Sequence, residues 1–247
     1  MKKLFAFLTI AAMVFAACEK KPVDNPDDNN NNNNNDPEPE EYVVPITIDG
    51  NFDDWAKIDA SKLIVAKCAD EAAKPDLKVL KVYADETYVF CYVEFNFDDY
   101  DGAPDDAHFH FYFNGDNDTA TGGWNGSWDQ GETPCVDLLT EADVITAGEV
   151  VEYNPTQLKY AGAPNTSEWG WEDVSVDGFI TGKGTKKAYE FMITRELYPL
   201  GSMAMPFTMG IDVCVNGWNA TGALPNAAVT DDNPSGQANL LEVKMTK

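Results

Sequence analysis

The chain has 247 residues, with 17 Lys and Arg against 42 Asp and Glu, for a formal net charge of −25. A surface this acidic repels phosphate backbones and anionic lipid head groups, which excludes nucleic acid as a partner and electrostatic docking on a membrane. Divalent cations and neutral glycans face no such barrier, and 44% hydrophobic residues suffice for one large core.

Residues 1–17 carry Lys2-Lys3, an apolar run from Leu4 to Val14, and the small pair Ala16-Ala17. This is the pattern of a signal peptide, and the run is short for a membrane-spanning helix. Phe15-Ala16-Ala17-Cys18 resembles the lipobox of bacterial lipoproteins, whose cysteine is acylated and becomes the mature N-terminus. The resemblance implies that Cys18 is a lipid anchor and that membrane contact runs through this anchor only. It also implies an outer-membrane location in a Gram-negative bacterium, at the cell surface or facing the periplasm. Residues 18–41 surround the run Asn29–Asn35 with Asp, Glu, Lys and Pro. Nothing there can bury apolar surface, so the segment reads as a disordered tether, extended by its prolines and like charges.

From residue 42 to 247 a period-2 alternation dominates. It predicts strands at Val43–Ile48, Leu63–Ala66, Leu77–Ala84, Tyr88–Asn96, Ala107–Phe113, Gly148–Tyr153, Gln157–Tyr160, Val174–Thr181, Ala188–Thr194, Phe207–Val215 and Ala238–Met245. Asp85-Glu86 reads as a tight hairpin. Thr194–Leu200 reads as one helical turn, capped by Thr194 and ended by Pro199. No long 3.6-residue period exists. The expected fold is therefore all-β: an antiparallel β-sandwich, jelly-roll-like, forming a single domain after the tether. Val89, Cys91, Val93 and Phe95 should face the core, while Lys81 marks a wet face. Phe109, Phe111 and Phe113 should also enter the core, leaving His108, His110 and Tyr112 together on the other face.

Cys68, Cys91, Cys135 and Cys214 show no C-x-x-C and no Cys/His zinc spacing. Cys91 and Cys214 lie in apolar runs and behave as small hydrophobes. Mostly free, buried thiols are expected, with one disulfide left open. The H-x-H pair can chelate zinc or copper. With no third histidine in the chain, it is read as lining an exposed sheet face.

Three motifs occur in order. The domain opens with Ile46-Thr47-Ile48-Asp49-Gly50-Asn51-Phe52-Asp53-Asp54-Trp55. A strand Phe109–Phe113 then leads into Asn114-Gly115-Asp116-Asn117-Asp118-Thr119-Ala120-Thr121-Gly122-Gly123, and Tyr189-Glu190-Phe191-Met192-Ile193-Thr194-Arg195 comes later. Together they resemble the family 9 carbohydrate-binding module and its DOMON-like relatives. That resemblance implies a β-sandwich, often stabilised by calcium, that in several members binds glycans. Heme or other redox chemistry, used by some DOMON relatives, would want axial Met or His, which Met203, Met205, Met209 and the two histidines leave open.

Asp116, Asn117 and Asp118 cluster hard oxygens suited to Ca²⁺, with Asp53 or Asp137 as distant further ligands. The alternative is a solvated Asp/Asn turn. Trp55 should plug one end of the sandwich. Trp124, Trp128, Trp169, Trp171 and Trp218 sit in polar, glycine-rich contexts, where flat indoles could stack on sugar rings beside hydroxyl-binding Asn, Asp, Glu and Gln. Trp171, followed by a strand, is the most structural of the five. No G-x-S-x-G, H-E-x-x-H, P-loop or dinucleotide fingerprint is present. The expectation is a non-enzymatic, lipid-anchored module that binds a polysaccharide or oligosaccharide and works beside outer-membrane glycan-uptake proteins. An adhesion module stiffened by calcium, or a glycan-active enzyme, are the rival readings.

Overall fold

A computed structural model divides the chain at Tyr42/Val43 and describes residues 42–71, 75–124, 126–128 and 133–246. Residues 1–41, where a signal peptide, the Cys18 anchor and a tether are expected, lie outside the described residues. Among the described residues thirteen strands follow one another: β1 (Ile64–Lys67), β2 (Leu77–Ala84), β3 (Tyr88–Phe95), β4 (Asp106–Asn114), β5 (Leu138–Thr146), β6 (Glu149–Val150), β7 (Thr156–Tyr160), β8 (Trp171–Asp173), β9 (Ile180–Gly184), β10 (Ala188–Thr194), β11 (Phe207–Val215), β12 (Ala220–Leu224) and β13 (Leu241–Val243).

They form two antiparallel sheets. One has the order β1-β2-β3-β10-β9, and the other β12-β11-β4-β5-β7-β8, with β13 added to β11 and β6 to β5. The fold is the expected β-sandwich. Among the described residues no helix is long and apolar enough to cross a membrane.

The alternation explains the layers. Leu80, Val82, Val89, Cys91, Val93 and Phe191 from the first sheet meet Phe109, Phe111, Phe113, Ile211 and Val213 from the second in one core. Each such side chain contributes about 1.5–3 kcal/mol when fully buried. The aromatic contacts are tight: Phe109 stacks on Phe191 with ring centroids 5.0 Å apart, and Phe111 meets Phe191 edge-on at 4.9 Å.

The opening motif covers the outer face of the five-stranded sheet. A 3-10 turn at Phe52–Lys57 brings Trp55 down until only 5% of it is exposed. Its Nε1 donates to Glu190 Oε2 at 3.1 Å, while the backbone N–H groups of Asp49 and Gly50 donate to Glu190 Oε1 at 2.9 and 2.8 Å. The first and third motifs are thus two halves of one latch, closed on a carboxylate of β10. Burial raises the Glu190 pKa, against the lowering effect of its hydrogen bonds.

Several predicted elements differ. Val43–Ile48 forms no strand, because Pro45 removes a ladder donor and Ile46 is instead drawn under Trp55 as a fully buried plug. The run from Val174 begins pairing only at Ile180, after Gly178 turns the chain with φ +79°. Gly148–Tyr153 narrows to β6, and Ala238–Met245 narrows to β13. The turn at Thr194–Leu200 is a 3-10 turn over Arg195–Leu197, and Thr194 makes no side-chain cap bond. β5, β8 and β12 were not predicted. Leu139, Glu141 and Asp143 make one face of β5 largely polar, and Gly222 interrupts β12. Cys68, Cys91, Cys135 and Cys214 are all buried, and no disulfide joins them.

Candidate functional site

The outer face of the eight-stranded sheet presents a three-by-three grid of side chains. Gly210, Asp212 and Cys214 on β11 pair in register with Tyr112, His110 and His108 on β4. These pair in turn with Leu139, Glu141 and Asp143 on β5. The residues between them point into the core, which forces polar groups into adjacent outward positions.

One end of the grid is roofed. Trp128 lies fully buried over it, 4.9 Å from Tyr112 between ring centroids, with Nε1 donating to the Pro225 carbonyl at 2.8 Å. Glycine is required beneath: a Cβ at Gly210 would meet the Trp128 indole at 2.5–2.7 Å. Trp128 is therefore packing, and the expectation that it contacts sugar is corrected; an indole with no exposed surface presents no face to a ligand.

The other end is open. It forms a cleft of about 520 Å³, floored by His110, Tyr112, Leu139, Glu141, Asp212 and Cys214. Trp124 and Trp169, which meet just before β8, and Trp218 and Asn219, in the connection between β11 and β12, also line it. This volume suits a small ligand or a short segment of a polymer. Trp218 is 71% exposed and stacks on His108 at 4.2 Å with an interplanar angle of 4°. Its turn is anchored where Asn216 N donates to Asp106 O at 3.0 Å and Asp106 N donates to Asn216 Oδ1 at 3.1 Å. His108 is held from behind by an Nδ1 contact to Asp143 Oδ1. Trp169 is 66% exposed and meets Trp124 edge-on at 5.2 Å. Trp124 has φ +43°, a left-handed conformation rarely tolerated by a bulky residue, held by its N–H bond to Thr166 O at 2.9 Å. Trp171 belongs to the same aromatic row, between Tyr160 and Trp169, but does not line the cleft; it opens β8.

The floor is a hydrogen-bonded unit. His110 Nδ1 lies 2.6 Å from Asp212 Oδ1, and the Tyr112 hydroxyl donates to Asp212 Oδ2 at 3.0 Å. Cys214 Sγ lies 4.0 Å from the same His110 nitrogen. Burial by itself would lower the His110 pKa, but the Asp212 hydrogen bond and the neighbouring Cys214 outweigh it and push the pKa up to about 10. Burial, reinforced by Asp212, holds the Tyr112 hydroxyl protonated far above its ordinary value. Asp212 and Cys214 both address Nδ1, so His110 cannot relay a proton between them as in a nucleophile–base–acid triad, which needs opposite ring nitrogens.

The Asp116–Asp118 loop lies after β4, where it leaves this grid. Asp116 Oδ1 accepts from Asp118 N at 2.9 Å, its Oδ2 from Thr121 Oγ1 at 3.0 Å, and Asp118 Oδ1 from Ala120 N at 2.8 Å. Asn117 occupies the left-handed region at φ +57°. Asp137 is adjacent, accepting from Gly115 N, Asp116 N and the Tyr198 hydroxyl. Asp53, by contrast, belongs to the turn packed on the other sheet. Met203 and Met209 are in the core, on the opposite side of the sheet from His110.

No protein-family model matches the chain, and no curated protein matches it.

Of the five tryptophans singled out from sequence, the fold brings Trp124, Trp169 and Trp218 to one cleft. Asp212, Cys214, Glu141 and Asn219 were missed. An aspartate inside the otherwise apolar run Phe207–Val215 was the available signal for Asp212. Cys214 was read as a core residue, yet its parity with Asp212 places it on the outward face. Asn125, Asp129 and Gln130 lie outside the described residues.

Proposed function

We propose that this protein is a carbohydrate-binding lipoprotein, anchored through Cys18 in the outer membrane, that captures a polysaccharide or oligosaccharide in the cleft between Trp169 and Trp218. The observation that carries the reading is the pair of exposed indoles flanking a polar floor. In water, such aromatic faces are a standing cost unless a ligand covers them. Sugar rings offer apolar C–H faces to stack on, and Glu141 and Asn219 offer partners for the hydroxyls. The net charge of −25 favours a neutral glycan over an acidic one. In this reading glycan-uptake proteins of the same membrane receive the bound chain.

Binding rather than hydrolysis fits the floor. Cleaving a glycosidic bond asks for two carboxylates poised on either side of it. Here both oxygens of Asp212 are engaged by His110 and Tyr112.

The test is a glycan array followed by titration calorimetry on any hit. Trp218→Ala and Trp169→Ala should each weaken binding by about tenfold or more, equivalent to 1.4 kcal/mol, with little change in melting temperature. Wild-type protein that binds no glycan on a broad array, or hits that both variants retain at full affinity, would sink the proposal.

A further inference from the structure

We propose that His110, Asp212 and Cys214 form a binding site for a borderline divalent metal ion of the zinc class, at the floor of the cleft. This is independent of whether the cleft holds a sugar.

The geometry assembles the donors without rearranging the backbone. His110 and Asp212 are register partners on β4 and β11, and Cys214 is the next outward residue on β11. The imidazole nitrogen, a carboxylate oxygen and the thiol sulfur all lie within 4.8 Å of one another. Ligands at zinc bond lengths of about 2.0–2.3 Å sit roughly 3.3–3.7 Å apart in a tetrahedron. The nitrogen–sulfur separation of 4.0 Å must close slightly, and the nitrogen–oxygen separation of 2.6 Å must open. Rotamer adjustments are enough for both. The metal would occupy the place of the proton now shared by His110 and Asp212.

The protons and charges balance. Starting from the imidazolium–carboxylate pair, the ion displaces the Nδ1 proton of His110, leaving a neutral imidazole protonated on Nε2, and the thiol proton of Cys214, both to solvent, and forms bonds to nitrogen, sulfur and an Asp212 oxygen. Two positive charges leave and two arrive, so no net charge is added to a nearly dry site. His110, Asp212 and Cys214 are exposed by only 5%, 3% and 4%. The Tyr112 hydroxyl on Asp212 Oδ2 provides the outer hydrogen bond that orients a ligating carboxylate. Three protein ligands leave a fourth position open, and the cleft gives access to it. A nitrogen–oxygen–sulfur set selects zinc-like ions and rejects calcium and magnesium, which take oxygen donors.

The experiment uses the full chain, stripped with chelator and titrated with Co²⁺, then with Zn²⁺ in competition against a chromophoric chelator. Wild type should bind one equivalent, show a thiolate-to-cobalt charge-transfer band, and ignore excess Ca²⁺. Cys214→Ser should abolish the band. Cys214→Ser and His110→Asn should each lose more affinity than the roughly ten- to hundredfold that an outer partner supplies, and Tyr112→Phe should fall within that range. Near-UV circular dichroism confirms that each variant is folded, and the near-isosteric serine keeps the test open if His110→Asn does not fold. Absence of the cobalt band in wild type, or equal affinity in wild type and Cys214→Ser, overturns the site. Glycan binding measured in chelator is a separate result: its failure leaves the metal site standing, and the reverse.

Discussion

Tryptophans of one chemical type play three roles here, and the difference is measurable at single residues. Trp55 is 5% exposed and shares Glu190 with the Asp49-Gly50 turn. Trp55→Ala should cost about 3–5 kcal/mol of stability, read from denaturant unfolding, because it leaves a cavity and an unpaired carboxylate oxygen. Trp218 is a surface residue, and its truncation should leave stability nearly unchanged while removing the stacking platform over His108. Trp128 is the third kind, a roof that shapes the cleft without lining it. Gly210→Ala probes it: the added methyl meets ring atoms of a buried indole that has nowhere to retreat. A loss of about 1–3 kcal/mol is expected, with a shift in tryptophan emission. An unaltered melt would mean that Trp128 is less tightly seated than its burial implies.

At the scale of the element, β4 decides most of the site. Its inward residues Phe109, Phe111 and Phe113 bind it to the core, its outward residues His110 and Tyr112 belong to the floor, and His108 carries the stacked Trp218. The loop it feeds is held largely by its own side chains, since Asp116 and Asp118 accept backbone and hydroxyl donors within the turn. A calcium ion there would work through exposed carboxylates with Asp137 close by. If it binds only the folded domain, stabilisation reaches about 2.7 kcal/mol at a hundredfold excess over Kd. Melting temperature should rise in millimolar Ca²⁺, and the rise should vanish in the Asp116→Ala/Asp118→Ala double variant. Identical melts in Ca²⁺ and in chelator would leave the turn as its own stabiliser.

For the whole molecule, buried carboxylates set the pH dependence. Burial pushes the Asp137 pKa up to about 6, with Asp116 adding to it and the Tyr198 and backbone hydrogen bonds opposing. Burial raises Glu190 likewise. A folded-state pKa above the unfolded value means that the protonated form is favoured on folding. That contribution is fully present below the unfolded values of 3.8 and 4.5, and is lost as pH rises through the folded ones. Asp59 and Asp173 act in the opposite sense, lowered by hydrogen bonds from Ser61 and Ser175, but both are at the surface and solvent screens them. The repulsion of a net −25 chain also eases on acidification. Melting temperature, measured in chelator, should therefore rise as pH falls from 7 to 5. Asp137→Asn should flatten that rise, and a melt that falls over the same range would contradict the assignment.

The sequence by itself determined the fold class and the inner faces. The period-2 alternation in Leu77–Phe95, Asp106–Asn114 and Phe207–Val215 follows from side chains that must alternate across a strand, so it can be read without tertiary information. It also determined that Trp55 is structural and that His108, His110 and Tyr112 share one face. Which strands become neighbours was decided only in three dimensions. His110 and Asp212 are 102 residues apart, and nothing local couples them; β4 and β11 are brought together by burying their phenylalanines and isoleucine in the core. The same distinction separates the loop tryptophans. Trp128 and Trp218 have alike polar surroundings in sequence, but Gly210 gives one of them a place to lie on the sheet, while the turn at Asn216 holds the other above His108 in solvent.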